Sequence, residues 1–385
     1  MKAAVIGMGR QGVAAAYDLA SRGAFATITC ADSDGSRVSG AVSRLQSLVP
    51  NKSFAGVEVN VERPRELMAF LRGVDLIVSA APYPLHKIIE KAALEVGCSV
   101  VDMGQDTEDA LAIHARNRDA IDRRLRIVTD CGVAPGLVNI LALEALRRNP
   151  GAHTLRAYCG GLPIRPIPPL GYVLRFSMAS VLGEYEDEVT ALRNGEVVTI
   201  EPLADLEEVE FTGLGTLEAF TTSGGTGTAP YTLRGKVNDF EYKTLRYPGH
   251  CKAMRLFRDC GFWTAVPVAA SGEKARDVFC SLMERALENP SVPDFVIGRV
   301  VAIGPDKSVT AEFRVDQDAE TRFTAMERVT GFLTAIVAHE IVAGHIRLGA
   351  QGCETAVDAG RFFAAMEARG MPVSWSETPA GTLAS

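Results

Sequence analysis

The chain has 385 residues, 47% of them hydrophobic and 23% charged, with a net charge of −7. That length has room for two domains, while the acidic balance and the lack of a basic stripe exclude a nucleic-acid or anionic-membrane surface. The most apolar helical stretch, 330–346, is interrupted by His339, Glu340 and His345, and is too short and too polar to span a bilayer.

From the N-terminus, a strand over 3–6 runs straight into Gly7-x-Gly9-x-x-Gly12, and a helix is predicted over 13–22. A second strand, 27–31, ends at Asp32, about 20 positions past Gly12. This is the arrangement of a dinucleotide-binding βαβ unit. Gly7 permits the tight turn, Gly9 lets a pyrophosphate approach the backbone, and Gly12 lets the helix lie on the strand. Arg10 and Gln11 fall within the loop that would hold the cofactor. Asp32 would accept from both ribose hydroxyls and repel a 2′-phosphate, so the expected cofactor is NAD.

Helix 36–48, strand 54–60, helix 64–71 and strand 74–79 follow, the last stopping at Ser79-Ala80-Ala81-Pro82. That stop is expected over the cofactor, although a plain strand terminator would look the same. Helix 85–96, strand 99–102, helix 107–123 and strand 126–129 complete the alternation of a parallel, doubly wound sheet. Ligands on such sheets bind beyond the carboxyl ends of the strands, where Gly7, Asp32, Ser79 and Asp102 fall.

The pattern changes after Gly136. A helix over 137–147 leads into a Pro/Gly-rich loop, and 172–242 alternates as strands do, with turns at Asn194-Gly195 and Ser223-Gly224-Gly225. Strands over 296–303 and 310–315 precede a long helix over 325–347, and the polar tail from Ser374 is expected to fray. The fold class is therefore α/β: a Rossmann domain over 1–130, then a second α/β domain with a mainly antiparallel sheet over 131–322. Helices of 323–385 are expected to return to the first domain. Apolar strands in the second domain suggest a homodimer or higher homo-oligomer. The eight cysteines are scattered, without Cys-x-x-Cys, which predicts reduced thiols, no metal and no disulfide framework. With a strand at the start in place of a leader, a cytoplasmic location is expected.

Four segments gather glycine, proline and polar residues that a sheet does not need: 130–136 (Asp-Cys-Gly-Val-Ala-Pro-Gly), 158–163 (Tyr-Cys-Gly-Gly-Leu-Pro), 215–220 and 242–250 (Tyr-Lys-Thr-Leu-Arg-Tyr-Pro-Gly-His). At these segments the chain resembles the saccharopine dehydrogenase-like family, most of all those members that oxidise the ε-amine of lysine with NAD. The resemblance implies hydride transfer at a C–N bond, with a small amino acid as substrate. Ala134 stands where members acting on saccharopine carry an acid before Pro-Gly, which favours a lysine-type substrate. The family's Pro-Pro-Glu appears only as Gly352-Cys353-Glu354, and no role is assigned to Glu354.

Arg is the natural bidentate partner of a substrate carboxylate, and Arg246 stands before a Pro-Gly turn that would fix its direction; the alternative is a structural ion pair. Amine oxidation requires a base, because an alkylammonium titrates near ~10.4. Lys243 and His250 are the candidates, each also readable as an ordinary loop residue. Cys159 and Gly160 are expected near the reacting carbon, with no nucleophilic role for the thiol. Asp102 and Tyr185 are candidate substrate contacts. Glu184 beside Tyr185 is an acid for a substrate ammonium, or else belongs to a solvated helix start. Rival readings are a saccharopine dehydrogenase, a carboxynorspermidine-type reductase and a non-catalytic NAD-sensing regulator.

Overall fold

A computed structural model describes residues 1–23, 25–268 and 272–379. Seven parallel strands form the first sheet, in the order Gly349–Gly352, Arg126–Thr129, Ser99–Asp102, Leu76–Ser79, Ala3–Ile6, Thr27–Asp32, Ser53–Glu58. The inner strands Ala3–Ile6, Leu76–Ser79 and Ser99–Asp102 are buried throughout, as their continuous apolar runs require. The helix expected over 107–123 breaks at Arg116. Asn117, freed by the break, accepts the amide of Ala350 and fixes the seventh strand.

The second sheet runs Glu207–Phe211, Gly215–Thr221, Asp239–Arg246, Thr154–Pro163, Asp294–Ile303, Lys307–Asp316, Val373–Pro379. Only the Asp239–Arg246/Thr154–Pro163 pair is parallel. A hairpin of Val189–Arg193 and Glu196–Ile200 turns at Asn194-Gly195, both with positive φ, as a two-residue hairpin loop demands. Two elements inside 172–242 depart from the strand pattern: the short helix Ala229–Leu233, and helix Met178–Glu186, capped by Ser177 and packed through Val181, Leu182 and Tyr185.

The C-terminal segment divides between the two units. Leu333–Val342 packs on helix Arg10–Arg22, and Gly349–Gly352 joins the first sheet. The tail from Ser374, expected to fray, is instead the edge strand of the second sheet. Trp375 anchors it, under the Arg148 guanidinium (3.8 Å) and against Phe363; residues beyond 379 lie outside the described chain. The second-domain strands are largely covered. Exposed apolar side chains gather elsewhere, on Leu256, Val278 and Leu282 of two helices and on Phe262 between them.

The long helix expected over 325–347 contains a π-helical turn, Arg328–Phe332. Gly331 in that turn lies directly on the nucleotide-site helix: a Cβ there would stand 2.6 Å from Ala14 Cβ and 2.8 Å from the backbone of Ala15 and Gln11. Replacing Gly331 by Leu should therefore separate the two helices, costing about 1–3 kcal/mol. A calorimetric melting temperature equal to that of the unaltered protein would contradict this contact.

Candidate active site

A cleft of about 620 Å³ lies between the carboxyl ends of the first sheet and one face of the second. Its first wall includes Gln11, Ala81, Pro82, Met103, Gly104 and Gln105. Behind that wall the glycine loop is as the sequence predicts. Gly7 has φ +96°, and a Cβ on it would strike the Ala80 carbonyl at 2.4 Å; a Cβ on Gly12 would strike the Gly7 carbonyl at 1.8 Å. A Cβ on Gly9 would meet nothing within 4 Å, which is the open approach a pyrophosphate needs. Helix Arg10–Arg22 begins without a side-chain cap, leaving its first amides for an anion. The Gln11 Oε1 is buried without a hydrogen-bond partner. These residues fit a dinucleotide.

Other first-wall residues sit differently from expectation. Ser79 is fully buried, and its hydroxyl pairs with His86 Nδ1 (2.8 Å), pointing away from the cleft; Ala80 packs behind the glycines. Arg10 lies 3.7 Å from Glu288 of the second unit. Asp32 holds the glycine loop through the Met8 amide (2.7 Å) and also accepts from the Asp34 amide (3.0 Å), with Arg37 at 3.7 Å. Asp102 does not reach the cleft. It accepts from the amides of Gly104 and Asp130 and joins Glu90 in a fully buried acid set. Burial, reinforced by the Asp102 charge, pushes both Glu90 and Asp130 well above the usual carboxylate range. Glu354 is also buried, and accepts from Thr228 and Thr232, so it ties the edge of the first sheet to a loop of the second unit.

The second wall comes from strand Asp239–Arg246. Side chains alternate along it: Tyr242, Thr244 and Arg246 line the cleft, whereas Lys243 points to the other face. The Lys243 ammonium donates there to the Asp205 carbonyl (2.7 Å) and Glu207 (2.9 Å). Lys243 is therefore no candidate base. His250 is excluded as well. It is 2% exposed and packed against Tyr172 and Phe220. Its Nδ1–H donates to the Leu170 carbonyl (3.1 Å), so Nε2 accepts from the Tyr185 hydroxyl (3.0 Å). Burial first, then the Arg246 charge, hold its pKa down to about 3.

Tyr185 likewise lies behind the wall, not on it. Its oxygen accepts from Arg246 Nε (3.2 Å), which completes a chain from Leu170 through His250 and Tyr185 to the guanidinium. Arg246 Nη1 donates to the Leu245 carbonyl (2.9 Å), and the guanidinium carbon sits 4.8 Å from the Tyr172 ring centre. Arg246 is only 4% exposed, yet no carboxylate lies within ion-pair distance among the described residues. Cys159 and Gly160 line the cleft as expected. Burial pushes the Cys159 thiol up to about 12, so it is neutral and no nucleophile. A Cβ on Gly160 would meet the Leu245 carbonyl at 2.4 Å.

Two features escaped sequence reading. Ser223-Gly224-Gly225, read as a turn, lines the cleft; Gly225 is there because the Tyr242 ring occupies the space of its Cβ. Thr222 and Thr244 share a hydrogen bond (2.8 Å) on the cleft floor. Glu184 belongs to the last turn of helix Met178–Glu186 and faces the cleft together with Ser180, Gly183 and Asp187. Of the two readings of Glu184, the solvated helix start does not hold, because the spacing of one helical face turns it to the cleft. Arg246 is the only cation among the described lining residues, against Glu184 and four exposed rim acids, Asp106, Glu108, Asp187 and Glu188.

Family comparison agrees with this architecture. The description "Saccharopine dehydrogenase NADP binding domain" matches residues 3–122, and "Saccharopine dehydrogenase C-terminal domain" matches residues 132–371. The chain belongs to the saccharopine dehydrogenase family. Rat mitochondrial alpha-aminoadipic semialdehyde synthase is 27% identical over 231 residues, covering 57% of this chain and 24% of that protein. The NADP(+), L-glutamate-forming saccharopine dehydrogenase of Pyricularia oryzae is 24% identical over 251 residues, covering 61% of this chain and 55% of the relative. This family member thus spans about a quarter to a half of the curated relatives it matches. Among solved structures, apo saccharopine dehydrogenase (L-Glu forming) from Saccharomyces cerevisiae superposes with a TM-score of 0.77 at 15% identity, over 98% of this chain and 99% of that one. Homospermidine synthase from Legionella pneumophila, in complex with NAD, superposes at 0.68 and 11%, over 100% and 93%. Both likenesses concern the fold.

The neutral state of His250 is directly measurable. Its ring nitrogens should report the Nδ1–H tautomer at pH 5 as at pH 8 in nitrogen-15 NMR. Because the folded pKa lies below the ordinary 6.5, stability from this group is complete above pH 6.5 and is lost as pH falls toward 3. An imidazolium signal at pH 6 would refute the hydrogen-bond chain.

Proposed function

We propose that this chain is an NAD-dependent oxidoreductase that deaminates a basic amino acid, most specifically L-lysine at its ε-amine, giving 2-aminoadipate 6-semialdehyde and ammonia. The observation that carries this reading is Arg246: a buried guanidinium that lines the cleft with no carboxylate in ion-pair reach among the described residues. It would take the α-carboxylate in a charge-assisted, bidentate pair. One cation against five acids among the described lining residues suits a substrate with one carboxylate and a surplus of amines. Saccharopine, with three carboxylates, would leave two of them against an acidic wall. The semialdehyde would close on itself to a cyclic imine.

A bound nicotinamide supplies the hydride acceptor. The chain's own part is orientation and control of water. Arg246 fixes one end of the substrate, and the neutral His250–Tyr185 chain fixes Arg246. Cys159, Tyr242, Thr222 and Thr244 offer an uncharged floor to the carbon chain. Asp32 supports NAD over NADP within a family whose nucleotide domain is described as NADP-binding, because a half-screened carboxylate at the ribose repels a 2′-phosphate. The family match and the cleft disfavour a non-catalytic NAD sensor. Eight free cysteines suit a reducing, cytoplasmic setting, and the apolar side chains around Leu256, Phe262 and Leu282 support self-association, which sedimentation tests. No helix among the described residues is long and apolar enough to cross a membrane.

With L-lysine and NAD alone, NADH and ammonia should form in equal amounts without any keto acid. Arg246→Met should raise KM for lysine by roughly 10- to 100-fold, the equivalent of losing about 1.5–3 kcal/mol of charged hydrogen bonding. Turnover that requires a second carboxylate on the substrate would reject the lysine reading. Separately, fluorescence titration should find NADH bound at least roughly tenfold more tightly than NADPH, the factor that about 1.4 kcal/mol of repulsion supplies; equal affinities would remove Asp32 from cofactor choice.

A further inference from the structure

An amine must lose a proton before hydride can leave the adjacent carbon, and neither group expected to take it reaches the cleft. Lys243 is committed on the far face of its strand, and His250 is sealed behind Tyr185. Asp102 is fully buried off the cleft, and Cys159 is a neutral thiol. Of the five lining carboxyls, four stand on the exposed rim. Glu184 alone is set inside.

Its surroundings are unusual for a carboxyl group. No donor hydrogen-bonds its side chain, and no cation lies within ion-pair distance, among the described residues; its backbone carbonyl accepts from the Ser223 amide (2.9 Å). The groups facing it are Arg246 and Tyr242 from one strand, Cys159 from the next, Tyr172, and Tyr185 on its own helix. Arg246 is the sole charge among them, and it is beyond ion-pair reach. A substrate gripped by Arg246 thus extends past a carboxyl that nothing else occupies.

We propose that Glu184 is the catalytic base that removes the proton from the substrate amine. The proposal rests on the amine-dehydrogenase reading of the cleft. The N–H bond breaks, its electron pair stays on nitrogen, and the proton passes to a Glu184 carboxylate oxygen. With a nicotinamide bound as hydride acceptor, the freed lone pair would support departure of the C–H electron pair, leaving an iminium that water would hydrolyse to the aldehyde and ammonia. The Glu184 proton returns to solvent past the rim. Burial, opposed in part by Arg246, raises the Glu184 pKa to about 7, so the group exchanges its proton at neutral pH.

The test is a pH series of kcat and KM for L-lysine with NAD, on the unaltered protein, Glu184→Gln and Glu184→Asp. The unaltered enzyme should lose kcat as pH falls below about 7. Glu184→Gln should lower kcat at neutral pH by roughly 10²–10⁴-fold, keep KM within about threefold, and retain only a rate that climbs with pH as free amine accumulates. Glu184→Asp should recover part of kcat, and NADH affinity should be equal in all three, which shows the fold intact. A raised KM with unchanged kcat in Glu184→Gln would make Glu184 an ammonium anchor and overturn the proposal, as would survival of the acid limb. If no basic amino acid is oxidised, the lysine reading fails by itself. The same three proteins assayed on saccharopine then decide Glu184, because a secondary amine must shed the same proton.

Discussion

A guanidinium buried without a carboxylate is the constraint around which the cleft is organised. Removing a charge from water costs several kcal/mol unless dipoles or counter-charges replace the lost hydration. Arg246 receives only neutral substitutes: the Tyr185 oxygen, the Leu245 carbonyl and the face of Tyr172. These hold it in place but do not neutralise it. An incoming carboxylate therefore gains the attraction that the protein has left unmet, and gains it in one orientation. His250 serves by being neutral. A second positive charge behind Tyr185 would compete for the same anion, and burial beside Arg246 keeps the imidazole from acquiring one.

Close backbone contact governs the other wall. Gly7, Gly12 and Gly331 each lie where a Cβ would meet backbone or another Cβ within 3 Å, so the first sheet, the nucleotide helix and the C-terminal π-turn are locked together by missing side chains. Gly9 is the exception with empty space beside it, and empty space is what a ligand requires. A fully buried acid set formed by Asp102, Glu90 and Asp130 lies off the cleft, while Glu354 binds the loop at Thr228 to the first unit. Charge thus grades across the site, from the sealed acids off the cleft, through Glu184 and Arg246 inside, to the solvated rim.

The nucleotide half of this arrangement was legible because its physics is local. A strand, a glycine turn and an acid at the next strand end lie within 32 residues, and Gly12 answers to the Gly7 carbonyl five positions away. Ser79 was misplaced because strand alternation at a terminus is decided by one residue, and here its hydroxyl found His86. In the second half the glycine- and proline-rich segments marked the right neighbourhood. They did not separate Arg246 from Lys243 and His250, which stand within eight positions of one another. Those three differ in which face of a strand they occupy and what covers it, and both depend on partners 36 to 80 residues away.

The sequence by itself therefore determined the α/β class, the dinucleotide loop, the family and the candidacy of Arg246, since periodicity, glycine spacing and a guanidinium's preference for carboxylates are properties of short segments. Only the tertiary structure decided that Tyr185 and His250 support Arg246 from behind, that Lys243 faces elsewhere, that Trp375 secures an edge strand, and that Glu184 stands inside the cleft. Burial, and the charge states that follow from it, belong to the whole packed molecule and have no value until distant segments meet.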